Sequence, residues 1–297
     1  MRFTAYVRDM TMISRSLTVA ALCVLASTLA QAGSARPVVV ELFTSQGSNA
    51  CPPADQFLGK LAQQRDVIAL SLPVTYWDML GWKDTLASES NTRRQKGYAA
   101  AMGHGGVYTP QIVIDGAQDV VGSRVAGVEA AIEARRHVIE AGFEMIQMPV
   151  AASSEMAARN SAAGDVAMAA KPANTPQRLS VPFVPVSVSE NAQEMRIKIG
   201  AADGVYDATV WMFHLRSAVN VAIKAGENQG RTITYRNIVA DLRAVGVWKG
   251  GSLSLTLPRS AMTGLPHDGV AIVVQQAGFG QIMGASYIAR PDFYPSH

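Results

Sequence analysis

A run of largely apolar residues, half of them β-branched, Val38-Val39-Val40-Glu41-Leu42-Phe43, leads directly into the stretch TSQGSNACPPAD, Thr44 to Asp55. That junction constrains the fold more than any other feature of the chain. The run reads as a buried strand. Pro52-Pro53 suits the first turn of a helix, where a missing N–H costs little. Phe57, Leu58 and Leu61 then give the helix an apolar face to near Gln64. A strand, a tight turn and a helix start place Cys51 at the helix N-terminus. Redox proteins put a Cys-x-x-Cys pair at such a position, but three residues before Cys51 stands Ser48.

The pattern continues in the same alternating way. Residues 66–74, DVIALSLPV, read as a second buried strand. A loop rich in aromatics follows, YWDMLGWKD. Ser88 to Met102 reads as a helix closed by Gly103, Gly105 and Gly106. VYTPQIVIDG is a strand opened by Thr109-Pro110. Its Asp115-Gly116 signals a hairpin turn into QDVVG. Arg124 to Ala141 has Val128, Ile132, Val138 and Ile139 on one face of a closing helix. The order β-α-β-α-β-β-α over residues 36–145 is the thioredoxin arrangement.

From Val150 to Arg178 there is no Leu, Ile or aromatic residue, and Ala, Ser, Asn and Pro dominate. Such a stretch buries too little surface to offset its ordering entropy. Residues 146–178 therefore read as a flexible linker or insertion, with isolated helical turns as the alternative. From Leu179 to about residue 290, eight short runs of alternating or β-branched residues return, punctuated by Gly, Asn and Asp, and a short tail follows at 291–297. Their spacing predicts an all-β, sandwich-like second domain. IVADLRAVGVW stays ambiguous, because Ile238, Leu242 and Val245 also suit a helix.

The N-terminus has the form of a secretory signal. Arg2, Arg8 and Arg15 precede an apolar core from Leu17 to Ala30, and Ala30-Gln31-Ala32 offers small residues for cleavage after residue 32. An uncleaved anchor is the alternative, and Met12 would serve as a second start site. Cleavage places the protein in the periplasm or outside the cell, with no stable membrane insertion. It also removes Cys23, leaving Cys51 alone of the two cysteines, so an internal disulfide is excluded. The leader carries +2 of the formal net charge of +3, which leaves about +1. No basic block or nucleic-acid motif is present, so a nucleic-acid partner is not expected.

The motifs TSQG…CPPAD, YWDMLGWKD, GVYTPQIVIDG and GENQGRTITYRNIV resemble a family of exported bacterial thioredoxin-like proteins that carries only a domain-of-unknown-function label. The resemblance spans most of the chain after the leader, outside the insertion. The family reads Gly-Cys-Ser-Ser-Cys-Pro-Pro-Ala-Asp and then Phe-His-Val-Asp-Tyr-Trp-Asp. Here Ser48 replaces the first cysteine, Pro73 the histidine and Thr75 the first aspartate of that second motif. In such a site the first cysteine attacks a disulfide as a thiolate and the second resolves the mixed disulfide. Ser48 supplies an alcohol that cannot enter that exchange and suits a helix N-cap instead. The resemblance further implies a cis Thr109-Pro110 bond beside the helix start, with Thr109 offering backbone groups to an extended substrate. An ordinary proline at the start of a strand is the other reading.

Two functions follow. One is a partner- or peptide-binding module without dithiol oxidoreductase activity, using Thr109, Pro110, Tyr76 and Trp77. The other is a single-thiol redox protein in which Cys51 forms mixed disulfides with an exported partner or a small thiol. Cys51 as a plain core residue belongs with the first. Trp77 and Trp82 suit either the groove or the core, and nothing in the sequence gives His104 a role as a base. No cofactor and no metal are expected, since one Cys with scattered Met is a poor ligand set. No Gly-x-Ser-x-Gly elbow is present for a serine hydrolase.

Overall fold

The computed structural model describes residues 36–147, 182–204, 206–258 and 268–289. The expected leader, most of the expected linker, the tail and Cys23 lie outside them. The elements are β1 (Val38–Thr44), α1 (Pro52–Leu61), β2 (Val67–Pro73), a 3-10 turn (Asp78–Leu80), α2 (Glu89–Ala101), β3 (Gln111–Ile114), β4 (Gln118–Val121) and α3 (Val125–Gln147). Then come β5 (Val186–Glu190), β6 (Glu194–Ile199), β7 (Ala208–Ala222), β8 (Thr232–Trp248), β9 (Leu253–Pro258), β10 (Gly269–Gln276) and β11 (Ile282–Ala289). The result is a mixed α/β structure with few helices and one large sheet.

Strand β1 pairs in parallel with β2 and antiparallel with β3, which pairs antiparallel with β4. Both β1 and β2 are buried along their whole length, which explains their continuous apolar runs. Alternation sorts the β1 side chains. Val39, Glu41 and Phe43 share the face on which α2 lies, with Phe43 edge-on to Tyr98 at 6.1 Å.

The later strands do not form a unit of their own, and this corrects the sandwich expectation. The sheet order is β11-β10-β7-β8-β2-β1-β3-β4, so the second half of the chain extends the first sheet. One core cluster runs through both halves and includes Val39, Phe43, Leu70, Val113, Phe213 and Val273. A sandwich-like layer does exist over part of it. The three-stranded sheet β5-β6-β9 packs Met195, Ile197 and Ile199 against Val210, Met212, Ile272 and Val274 on the opposite face of the large sheet. The seam between the halves is thin, a single parallel ladder pair, Ser71 with Ile238. The Asn237 side-chain amide adds a bond to the Ala69 carbonyl at 3.0 Å.

Two of the eight short runs expected beyond Leu179, DATVWMFHL and VNVAIK, fall largely within one fifteen-residue strand, β7. The ambiguous IVADLRAVGVW belongs to the seventeen-residue β8. Register shifts between Val210 and Trp211 and between His214 and Leu215 break the alternation, which accounts for the false helical spacing.

A buried ion pair fastens α2 to the sheet. Arg94 donates to both carboxylate oxygens of Glu41, through Nε and through Nη2 at 2.9 Å. Tyr98 donates its hydroxyl to Glu41 at 2.6 Å and accepts from Gln275 at 2.9 Å. The guanidinium lies 5.1, 5.3 and 5.0 Å from the ring centroids of Tyr98, Trp211 and Phe213. Burial favours an uncharged Arg94, but the adjacent Glu41 outweighs it and holds the guanidinium charged.

Candidate functional site

The helix α1 begins where the two prolines place it, and its N-cap is Cys51 rather than the expected Ser48. Pro52 and Pro53 fix the first helical dihedrals, so the residue just before them takes the cap position. Cys51 forms no side-chain cap bond. Its carbonyl accepts from Ala54 at 2.9 Å and from Asp55 at 3.0 Å. Ser48 stands one turn earlier, where its carbonyl accepts the Cys51 N–H at 3.2 Å. Ser48 is 2% exposed and the Cys51 thiol is fully buried.

The Cys51 side chain is enclosed by polar groups. Burial pushes its thiol pKa up, and the nearby Asp55 carboxyl pushes it further. The Thr44 hydroxyl, the Ser45 backbone and the Thr109 hydroxyl favour the thiolate but do not win. Neither hydroxyl closes a hydrogen bond. The Tyr76 hydroxyl and the Trp77 indole N–H are also buried without partners. Burial raises the Tyr76 pKa, and its other influences, Thr109, Gln95, Cys51 and Trp77, place it in the same cluster. Asp55 is fully buried with both oxygens unpartnered, and burial pushes its pKa up to about 8. At neutral pH it is therefore mostly a neutral acid.

Thr109 and Pro110 come to this cluster from the start of β3. The peptide bond between them is cis. Gly122 shows how closely that turn approaches α1, because a Cβ there would lie 3.1 Å from both Pro110 and Ala54. The Gly122 N–H donates to the Pro110 carbonyl at 2.8 Å. Thr109 itself enters no backbone hydrogen bond among the described residues.

The residues named from the sequence do not all gather here. Trp82 donates its indole N–H to Gln46 Oε1 at 2.8 Å and packs with Tyr235 and Ile238, so it belongs to a structural cluster. Thr75 joins the start of α2, donating to Glu89 at 2.6 Å and meeting Thr92 at 3.0 Å. Pro73 ends β2, and its carbonyl accepts from Asn91 at 3.1 Å. His104 is held by Asp119 at 3.0 Å, which also accepts from Tyr108 and Gln111 at 2.8 Å each. Among the described residues no group of three His, Cys, Asp or Glu is arranged to hold a metal.

Sequence reasoning missed the residues that fix the Ser48 turn. Asp84 accepts the Gln46 N–H at 2.8 Å and the N–H groups of Leu86 and Ala87 at 2.9 and 3.0 Å. From the loop between β7 and β8, Asn228 donates to the carbonyls of Gln46 and Ser48, and Glu227 accepts the Asn49 N–H at 2.9 Å. Gly226, with φ +78, brings that loop against Gly47: a Cβ on Gly226 would lie 3.7 Å from Gly47 Cα. Tyr235 of β8 carries a raised pKa from burial and from Asp55, Asp84 and Cys51, which sets its hydroxyl beside the cluster. The signal was present in the quoted GENQGRTITYRNIV, whose polar residues recur where a loop must meet another loop.

Residues 39–173 and 147–275 match the family described as Protein of unknown function (DUF1223). The chain belongs to the DUF1223 family. A crystal structure of a protein from Agrobacterium tumefaciens is 32% identical, with a TM-score of 0.66 over 90% of this chain and 100% of that chain. HBP35 of Porphyromonas gingivalis is 12% identical, with a TM-score of 0.47 over 88% of this chain and 77% of that one. No curated protein matches. The Ser48–Asp55 turn falls in the first matched segment and the Asn228 loop that clamps it in the second.

Proposed function

We propose that this is an exported protein whose residues 36–145 follow the thioredoxin-like plan, and that it binds an extended polypeptide partner without dithiol chemistry. The β1-α1-β2 parallel unit, the β3–β4 hairpin, the closing α3 and the cis proline beside the α1 start support the fold reading. One contrast carries the functional reading. The only sulfur nucleophile in the described residues, Cys51, is sealed and held protonated, while Thr109 keeps its backbone groups unpaired beside the part-exposed Tyr76 and Trp77. Main-chain groups that have no partner at the start of a strand are what an extended peptide needs for added-strand pairing. Met79, 82% exposed on the 3-10 turn beside them, adds an apolar contact.

Two measurements test the reading. Alkylation of Cys51 in the native protein should be slower by a factor of about 100 or more than in urea-unfolded protein, because the thiolate must form in a sealed site. Titration with an unfolded, reduced polypeptide should shift backbone amide resonances of residues 76, 77 and 107–109, and Trp77→Ser should weaken that response. Rapid native labelling would replace this reading with the single-thiol one, in which Cys51 exchanges with a partner or small thiol. Export is tested by N-terminal sequencing, with a terminus near Gly33 expected.

A further inference from the structure

Along the length of α1 lies a groove of about 780 Å³ that the Cys51 cluster does not use. One wall is the solvent stripe of α1, where Pro52, Gln56 and Lys60 recur at helical spacing, continued by Gln63 just past its end. The other wall is the start of β8, where Thr232, Thr234 and Arg236 alternate outward while Tyr235 points into the core. Arg231 lines the same groove.

The charges in this groove are unbalanced. The side chains of Lys60 and Arg236 make no hydrogen bond or ion pair with any described residue, and the Arg231 guanidinium bonds only the neutral Asn228 side chain, at 3.1 Å. The one acid lining the groove, Asp55, has both oxygens buried and is mostly neutral at pH 7. Arg236 is also placed deliberately. Its stem crosses α1 at Gly59, where an added Cβ would lie 3.2 Å from Arg236 Cδ. Glycine within a helix is unfavourable. Here it admits the arginine stem, and among the described residues no carboxylate receives the guanidinium.

We infer that the groove between α1 and β8 is a binding site for a small ligand bearing a dianionic oxyanion, a phosphate or sulfate group, held by Lys60, Arg231 and Arg236. Three uncompensated cations favour a dianion over a single carboxylate, and the guanidinium fork suits tetrahedral oxyanions. The hydroxyl of Thr232 supplies a further donor on the same wall, while that of Thr234 already donates to Asn220 Oδ1 at 2.7 Å. The site needs nothing from Cys51, so it stands or falls apart from the peptide-binding reading.

The test is titration of the protein, at constant ionic strength, with inorganic phosphate, sulfate, glycerol phosphate and chloride, followed by calorimetry and thermal melting. Saturable binding of the dianions, with a rise in Tm that chloride does not produce, is expected. Arg236→Gln and Lys60→Gln should each weaken binding at least fivefold while leaving the Tm of the unliganded protein within about 2 °C. Tighter binding of glycerol phosphate than of phosphate would mark an organic phosphate ester as the ligand, and equal binding would mark the free anion. Equal responses to phosphate and chloride, or variants that bind as the parent does, would overturn the inference.

Discussion

The side-chain amide of Asn228 donates to two carbonyls at once, Gln46 at 2.9 Å and Ser48 at 2.8 Å, and so fastens the turn before Cys51 from a loop 180 residues further along the chain. Both carbonyls are in buried residues. Asn228→Ala leaves them without that donor, and a buried group stripped of its partner costs about 1–3 kcal/mol. We expect a loss of about 2 kcal/mol in urea unfolding, together with faster alkylation of Cys51 because the turn that seals it loosens. Asn228→Asp should be as harmful, since it keeps the shape and removes the donor.

Asp55 makes stability depend on pH in a defined direction. Its pKa is about 8 in the folded protein against an ordinary value of 3.8. Between those values the folded state keeps a proton that the unfolded state has released. Stability from this group is therefore complete below about pH 4, falls as pH rises, and is lost above about pH 8, with a slope approaching 1.4 kcal/mol per pH unit. Asp55→Asn removes the titration. The variant should gain on the parent steadily from pH 5 to pH 8 in paired urea unfolding curves. A constant difference across that range would show that Asp55 does not titrate in the window.

Ser48→Cys restores a sulfur three residues before Cys51. The Cys51 N–H already bonds the Ser48 carbonyl at 3.2 Å, closing a turn whose ends lie within about 7 Å, close to disulfide range. The variant should form an internal disulfide on oxidation, seen by mass spectrometry as a loss of two hydrogens that the parent does not show. The parent should not catalyse insulin reduction by dithiothreitol, because one buried thiol cannot complete a dithiol cycle. Catalysis by the parent would require Cys51 to act alone and would contradict its burial.

The Arg94–Glu41 pair should respond asymmetrically. Removing one partner, as in Arg94→Met, strands a buried carboxylate and should cost about 3–5 kcal/mol. Removing both, as Arg94→Met with Glu41→Leu, should recover much of that loss, since buried ion pairs often do no better than apolar packing. A double-mutant cycle from denaturation curves gives the coupling directly. Additive losses would show that the two side chains do not act as a unit.

Local structure was legible in the sequence wherever short-range chemistry decides it. The prolines at 52 and 53 start α1, Ser88 caps α2 by accepting the Asn91 N–H, and Asp115-Gly116 turns the β3–β4 hairpin, with Asp115 at φ 52 and Gly116 at φ 63. The gathering of Cys51, Tyr76, Trp77, Thr109 and Pro110 also follows from the motifs that named them. What could not be read were partners far apart in sequence. Nothing near Ser71 announces Ile238, and nothing near Gln46 announces Asp84 or Asn228. The composition change after Val150 suggested two bodies, yet strand pairing ignores it. The two bulges in β8, at Ala240 and Val245, then disguised its alternation, because each shifts it by one residue.

The single-pair seam between β2 and β8 has a consequence for the protein's birth. Strand β2 is interior in the finished sheet, but its partner lies about 170 residues downstream. A growing chain that has released β1 to α3 from the ribosome therefore displays the apolar β2 with one row of main-chain groups unpaired. That edge stays open until residue 238 emerges. If the chain is exported as proposed, it must cross the membrane before the seam closes, and a holding chaperone has a defined edge to cover. Any truncation before β8 would leave β2 permanently at the edge of the sheet.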